Sequence, residues 1–167
     1  MPLDDLNQSG PLRFFELIGG PLEGQQWLAE QVAPHRPFNS VQGLFEAFEA
    51  VVQTASQDEK IALIASHPDL AGRAAMAGEV SETSQREQAA AGLDRLTPEE
   101  YERFHALNDA YRARFGFPFV ICARENTKES ILKAFEQRLH NDRSTEITTG
   151  VAEVLKILRL RLLEKFG

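Results

Sequence analysis

The run Thr97-Pro98-Glu99-Glu100, continued through Tyr101 to Phe115 and closed by Gly116-Phe117-Pro118-Phe119-Val120-Ile121-Cys122, decides the fold class. Its first four residues are a helix start: a capping hydroxyl, a proline at the first helical position and acids in the first turn. Tyr101, Phe104, Asn108, Tyr111 and Phe115 then recur at the three- and four-residue spacing of one helix face. Gly116 stops the helix. Phe117 to Cys122 is the one stretch of the chain that reads as extended, and a single short extended segment cannot form a sheet by itself. The chain is therefore expected to be all-α: a single-domain helical bundle of about eight helices spanning residues 1–167, with one short extended segment.

Working outward, the same helical period recurs almost throughout. Leu12 to Ile18 reads as a short helix stopped by Gly19-Gly20-Pro21, and Gln25 to Val32 as another that ends before Pro34 and Pro37. Ser40 is the expected N-cap of a helix carrying Leu44, Phe45, Phe48, Val51 and Val52, and Asp58 that of Glu59 to Ser66. Pro68 ends that helix and restricts the residue before it, His67. Ala71 to Ser81 is expected to be a loop with one helical turn. Thr127 starts a helix holding Ile131, Leu132, Phe135 and Leu139, and the last helix is expected over Glu146 to Glu164. No internal repeat, low-complexity tract or linker is visible.

The 167 residues are enough for one sizeable core. A hydrophobic fraction of 43% with 26% charged residues argues against disorder. The net charge of -7 favours solubility and speaks against a nucleic-acid partner. A small anionic substrate would need a local basic group to override that field. Cys122 is the single cysteine, so an internal disulfide, a CxxC pair and a Cys-rich zinc site are excluded, and a reducing compartment fits. No run approaches the roughly 18 apolar residues of a membrane span. Met1-Pro2-Leu3-Asp4-Asp5 has no secretory pattern, so a cytoplasmic protein without membrane partners is expected.

Several side chains carry candidate chemistry. Histidine is the side chain whose ordinary charge change falls near neutrality, and His67 is held between a helix end and Pro68, which suits an acid/base group as well as a turn residue. Glu87 has two readings. Ser84-x-x-Glu87 has the spacing of a capping box; if Ser81 or Thr83 is the cap instead, Glu87 is released to face a pocket. On the last helix Val151, Val154, Leu155, Leu158 and Leu162 form an apolar sector, and Arg161 falls inside its widened face, between Val154 and Ile157. An inward Arg needs a partner, through an ion pair, a snorkelling stem or an anion site. Asn108 interrupts an apolar stripe and is expected to tie its helix to a neighbouring loop. His105 reads as semi-exposed and structural, His35 and His140 as surface residues, and Cys122 as a small buried hydrophobe. His67, Asp69, Glu79 and Glu87 are of metal-ligating type, but no HxxxH, HExxH or CxxC spacing is present, and no metal is expected. There is also no Gly-rich phosphate loop or GxSxG elbow.

Four stretches taken together resemble a known family. They are His67-Pro68-Asp69-Leu70-Ala71-Gly72, Ser84-x-x-Glu87-Gln88, Leu107-Asn108-x-Ala110-Tyr111-x-x-Arg114-Phe115-Gly116-Phe117-Pro118-Phe119-Val120, and Leu160-Arg161-Leu162. The chain, over roughly 38–163, is similar to the OHCU decarboxylases, which convert 2-oxo-4-hydroxy-4-carboxy-5-ureidoimidazoline (OHCU), the last intermediate of urate oxidation, into (S)-allantoin. The resemblance implies an all-α, cofactor-free and commonly dimeric enzyme. It implies His67 as catalytic acid/base and Glu87 as its carboxylate companion. Pro68 would shape the site, and Ser84, Gln88 and Arg161 would hold polar edges of the substrate. Backbone groups of Phe119, Val120 and Ile121 would contact the ring. The ending Glu164-Lys165-Phe166-Gly167 lacks the peroxisomal tripeptide of some eukaryotic members, which favours a bacterial cytoplasmic enzyme. Two other readings stand beside this one: a helical module that binds a ureide, a purine-like ligand or a protein partner without turnover, and a related lyase acting on another ureido acid.

Overall fold

The computed structural model describes residues 3–22, 25–71 and 81–167. Among them are nine α-helices and no strand: α1 Leu3–Gln8, α2 Pro11–Ile18, α3 Gln26–Val32, α4 Val41–Thr54, α5 Gln57–Ala65, α6 Glu82–Ala90, α7 Pro98–Phe115, α8 Lys128–Arg138 and α9 Arg143–Phe166. Short 3-10 turns occupy Ala33–His35 and Ala123–Glu125. The all-α expectation holds. The loop expected over Ala71 to Ser81 lies, apart from its two ends, outside the described residues.

Helix boundaries follow from local hydrogen bonding. Ser40 Oγ accepts from the Gly43 N–H at 3.0 Å and opens α4. Thr97 and Glu100 exchange side-chain-to-backbone bonds of 3.1 and 3.0 Å to open α7, and Gly116 closes it in the left-handed region at φ 82°, where a side chain would be strained. Thr127 and Ser130 form the same reciprocal cap on α8. Three expectations are corrected. The cap of α5 is Ser56 rather than Asp58, because Ser56 Oγ and the Glu59 carboxylate satisfy each other's backbone N–H at 3.1 and 3.0 Å. The last helix starts at Arg143 rather than Glu146, since Asp142 accepts from the Thr145 N–H at 2.7 Å. The six-residue α1 was not expected at all.

The chain divides into two compact units, residues 1–60 with 155–167, and residues 61–154. In the first, α3 packs on both α2 and α4. Asn7 pairs with both backbone groups of Phe38 at 2.8 and 2.7 Å, Arg36 lies over the Phe14 ring at 4.9 Å, and Lys165 donates to the Leu17 carbonyl. In the second, Tyr111 is fully buried among Phe115, Phe119 and Phe135, and the Phe119 and Phe135 rings stack with centroids 3.7 Å apart. A Cβ on Gly150 would lie 2.8 Å from Ile64 Cδ1, so the absence of a side chain there lets α9 approach Ile64 closely.

Candidate active site

The second unit positions most of the candidate residues. α5 ends at Ala65, and the His67 N–H still reaches the Ile64 carbonyl at 3.2 Å. The His67 side chain is buried, at 9% exposure. Three successive residues after Pro68 are then tied down. Asp69 accepts from Arg112 Nε and Nη2, both at 3.0 Å. The Leu70 carbonyl accepts from Asn108 Nδ2 at 2.9 Å, and the Ala71 N–H donates to Gln88 Oε1 at 2.9 Å. Ala71 sits at φ 52°, a conformation that disfavours a residue with a Cβ by roughly 1–2 kcal/mol. The two buried amide bonds offset that strain, because breaking either would leave a buried backbone group unpaired. Asn108 thus has the loop-tying role expected of it.

α6 is capped by Ser81, whose Oγ accepts from the Ser84 N–H at 3.1 Å. The capping-box reading of Ser84 and Glu87 is therefore corrected: Ser84 is the third residue of the helix, and Glu87 lies beyond the first turn. Capping by Ser84 therefore does not account for Glu87. Ser84, Glu87 and Gln88 have i, i+3, i+4 spacing and share one face. Ser84 and Gln88 are buried and Glu87 is half-buried. The Gln88–Ala71 bond sets this face against the loop that carries His67. It also fixes the amide: Oε1 is the committed acceptor, so Nε2 is a donor, and it donates to no described residue.

The extended segment is the third component. Phe119, Val120 and Ile121 are buried, at 1%, 3% and 7% exposure. The Val120 carbonyl accepts from Arg138 Nη1 at 2.8 Å, and the Cys122 N–H donates to Glu153 Oε1 at 3.1 Å. No hydrogen bond among the described residues takes up the N–H or C=O of Ile121, the N–H of Val120 or the C=O of Phe119. Buried backbone groups are nearly always paired, so a row left open is a place for a ligand or ordered water. Burial pushes the Cys122 thiol up to about 11, with further contributions from the Glu125, Glu153 and Glu87 carboxylates. Glu87 is thus close enough to be felt at Cys122, and α6 packs on the Ala123–Glu125 turn.

The structure brings His67, Pro68, Ser84, Glu87, Gln88 and the Phe119–Ile121 backbone into one unit. Arg161 belongs to the other unit, on the last turns of α9; it is buried at 4% exposure, and its Nη1 donates to the Pro21 carbonyl at 3.3 Å. His105 stacks on Tyr101 at 6.1 Å and faces Asp109 at 3.8 Å, while His35 and His140 are exposed. Of the residues of metal-ligating type, Asp69 is engaged by Arg112 and Glu79 lies outside the described residues. Sequence reasoning missed Arg138, Glu146 and Glu153. The available signal was charge at helix positions that prove to be buried, but their partners are distant in sequence.

Comparison with known proteins follows the same lines. The profile of the OHCU decarboxylase family matches residues 7–163. The 2-oxo-4-hydroxy-4-carboxy-5-ureidoimidazoline decarboxylase of Halalkalicoccus jeotgali is 42% identical over 164 residues, covering 98% of this chain and 91% of that protein. The corresponding protein of Haloferax volcanii is 38% identical, over 100% and 97% of the two chains. The crystal structure of an (S)-allantoin synthase superposes with a TM-score of 0.78 at 29% identity; the match covers 99% of this chain and 54% of that one, so this chain spans about half its length. A crystal structure of an OHCU decarboxylase in the presence of (S)-allantoin, 21% identical, shares the fold with a TM-score of 0.74. Fold and sequence together place the protein among all-α carboxy-lyases. The chain belongs to the OHCU decarboxylase family.

Proposed function

We propose that this protein converts OHCU to (S)-allantoin by cofactor-independent, stereoselective decarboxylation, with His67 and Glu87 as the acid–base pair. The observation that carries this reading is the tie between the His67 loop and α6: the Ala71–Gln88 bond sets the imidazole's loop against the helix face that presents Glu87. The family relationship supplies the substrate, and the peptide groups at Phe119–Ile121 that are open among the described residues suit its ring and ureido functions.

Loss of CO2 from the hydroxyl-bearing carbon releases an electron pair. The substrate carries its own sink, because the pair can form a carbon–carbon double bond as the adjacent ring C=N nitrogen takes up the charge and is protonated, with one proton drawn from solvent overall. The enol so formed gives its hydroxyl proton to His67. A proton delivered to one face of the ureido-bearing carbon restores the single bond and sets the S configuration. Glu87 either fixes the protonation state of the imidazole or carries one of these protons. Gln88 Nε2 and Ser84 serve as polar contacts, and Pro68 holds His67 in place. By resemblance, Arg161 binds substrate. A guanidinium gripping the scissile carboxylate would stabilise the ground state, so a ring or ureido oxygen that gains charge is its better target. The resemblance further supports a homodimer acting in the cytoplasm, with no nucleic-acid partner. No helix among the described residues is long and apolar enough to cross a membrane.

The test is circular dichroism of allantoin formation, with OHCU generated in situ from urate. Spontaneous decay gives racemic product, so a one-handed signal requires catalysis. A strong (S)-allantoin signal is expected from the wild type. Its absence from folded protein would overturn the assignment in favour of a binding module or another ureido acid.

A further inference from the structure

We propose that Arg138 and Glu153 are a pair of positioning residues of opposite charge that aim and polarise the backbone N–H and C=O of Ile121 toward the substrate. This rests on the decarboxylase reading for the identity of the ligand, but not for the geometry. The peptide units on either side of Ile121 are trans. In a planar trans unit the C=O and the N–H point in opposite directions. Arg138 Nη1 holds the Val120 carbonyl at 2.8 Å, so the Ile121 N–H of the same unit is turned away from Arg138. Glu153 Oε1 holds the Cys122 N–H at 3.1 Å, so the Ile121 carbonyl of that unit is turned away from Glu153. Both groups of Ile121 are buried and open among the described residues. A guanidinium on the carbonyl strengthens the N–H of its unit as a donor, and a carboxylate on the N–H strengthens the carbonyl as an acceptor. Ile121 therefore presents a reinforced donor and acceptor side by side. Their chemical complement is an adjacent C=O and N–H pair, as found on the rim of a cyclic or open urea.

The surroundings of Arg138 fit this role better than a purely stabilising one. Its Nε donates to Glu146 Oε1 at 2.8 Å, and its guanidinium lies 4.3 Å from the centroid of the Phe119 ring. Glu146 has no exposure and also accepts from the Tyr111 hydroxyl at 2.6 Å and from Asn141 Nδ2 at 2.9 Å. Three elements thus fix the guanidinium. Yet among the described residues Arg138 Nη2, though buried, has no hydrogen-bond partner. A network that served stability alone gains little from a buried ion pair and loses by an orphaned donor. What this placement achieves is a charged donor aimed at one particular carbonyl.

The experiment uses Glu153→Gln, Glu153→Leu and the charge-neutral double variant Arg138→Met/Glu146→Gln, with amide NMR of Ile121 and steady-state kinetics. In ligand-free protein the Ile121 N–H resonance is expected to move upfield in the double variant. (S)-allantoin should shift that resonance strongly in the wild type and weakly in the variants. KM should rise about tenfold for Glu153→Leu and for the double variant, and about threefold for Glu153→Gln, which keeps the hydrogen bond but loses the charge. The pH profile of kcat should stay in place, because His67 and Glu87 are untouched. Folded variants with wild-type KM and an unchanged Ile121 resonance would overturn the proposal. Should the double variant fail to fold, the two Glu153 variants decide it. Should the wild type make no allantoin, the functional reading fails, while the ligand-free Ile121 resonance still tests the polarisation.

Discussion

The loop at residues 67–71 and the segment at 119–122 are both irregular chain held in place by side chains, and they are held by different means. The loop is fastened by two neutral amides and by an ion pair at the rim, where Arg112 and Asp69 are 47% and 29% exposed. The segment is fastened by buried charges, Arg138 and Glu153, behind stacked aromatic rings. An exposed pair is worth roughly 0–1 kcal/mol, whereas stripping one partner from a buried pair destabilises by about 3–5 kcal/mol. The loop that carries His67 is therefore the more yielding of the two, and the 119–122 segment the more rigid. That division suits the proposed site, in which His67 would move protons and the 119–121 backbone would receive the ring.

The sharpest probe of this contrast is His67→Asn. Turnover should fall by about 10²–10⁴ while the circular dichroism of the fold and the melting temperature stay put; normal activity would remove the acid–base role. On the other side, Arg138→Met alone leaves Glu146 buried without its cation. Urea titration should show a loss of about 3–5 kcal/mol, and a loss below 1 kcal/mol would erase the distinction between the two regions. Asn108→Ala strands the Leu70 carbonyl, so a loss of about 1–3 kcal/mol is expected with a drop in kcat. Arg112→Met should change stability by less than about 1 kcal/mol, and added salt should weaken what effect it has on turnover. The smallest change concerns Cys122. Burial keeps its thiol protonated up to about pH 11, so alkylation of the native protein should be slow at pH 8 and rise as pH passes through that value. Rapid labelling at neutral pH would mean that the segment opens.

Much of this was legible because it is local. The caps at Ser40, Thr97 and Thr127 and the stop at Gly116 depend on residues within one turn, and the sequence carries them directly. Asn108 could be read because a polar side chain in an apolar stripe must find a partner. The errors at Asp58 and Ser84 have one cause: several hydroxyls and carboxylates within three residues can each cap, and the choice is made by where the preceding chain arrives. The Arg138–Glu146–Tyr111 network could not be read, because Tyr111 and Glu146 are 35 positions apart and neither position alone signals burial of a charge. The way Arg138 and Glu153 orient Ile121 depends on peptide planarity at a place where tertiary structure turns the chain, and residue identity says nothing about that.

The unit formed by residues 1–60 and 155–167 is discontinuous in sequence, and this has a consequence for biosynthesis. Pro21 and Arg161 are separated by 140 positions, and Leu17 and Lys165 by 148. During synthesis the last turns of α9, which hold Pro21 and Leu17, are made only after the whole of 61–154. The opening helices must wait for the final turns of α9 before their last contacts can close. Folding of that part is therefore bound to late synthesis and to a long loop closure. A chain cut short of residue 155 would keep His67 and Glu87 but leave the amino-terminal helices without the turns of α9 that engage Pro21 and Leu17.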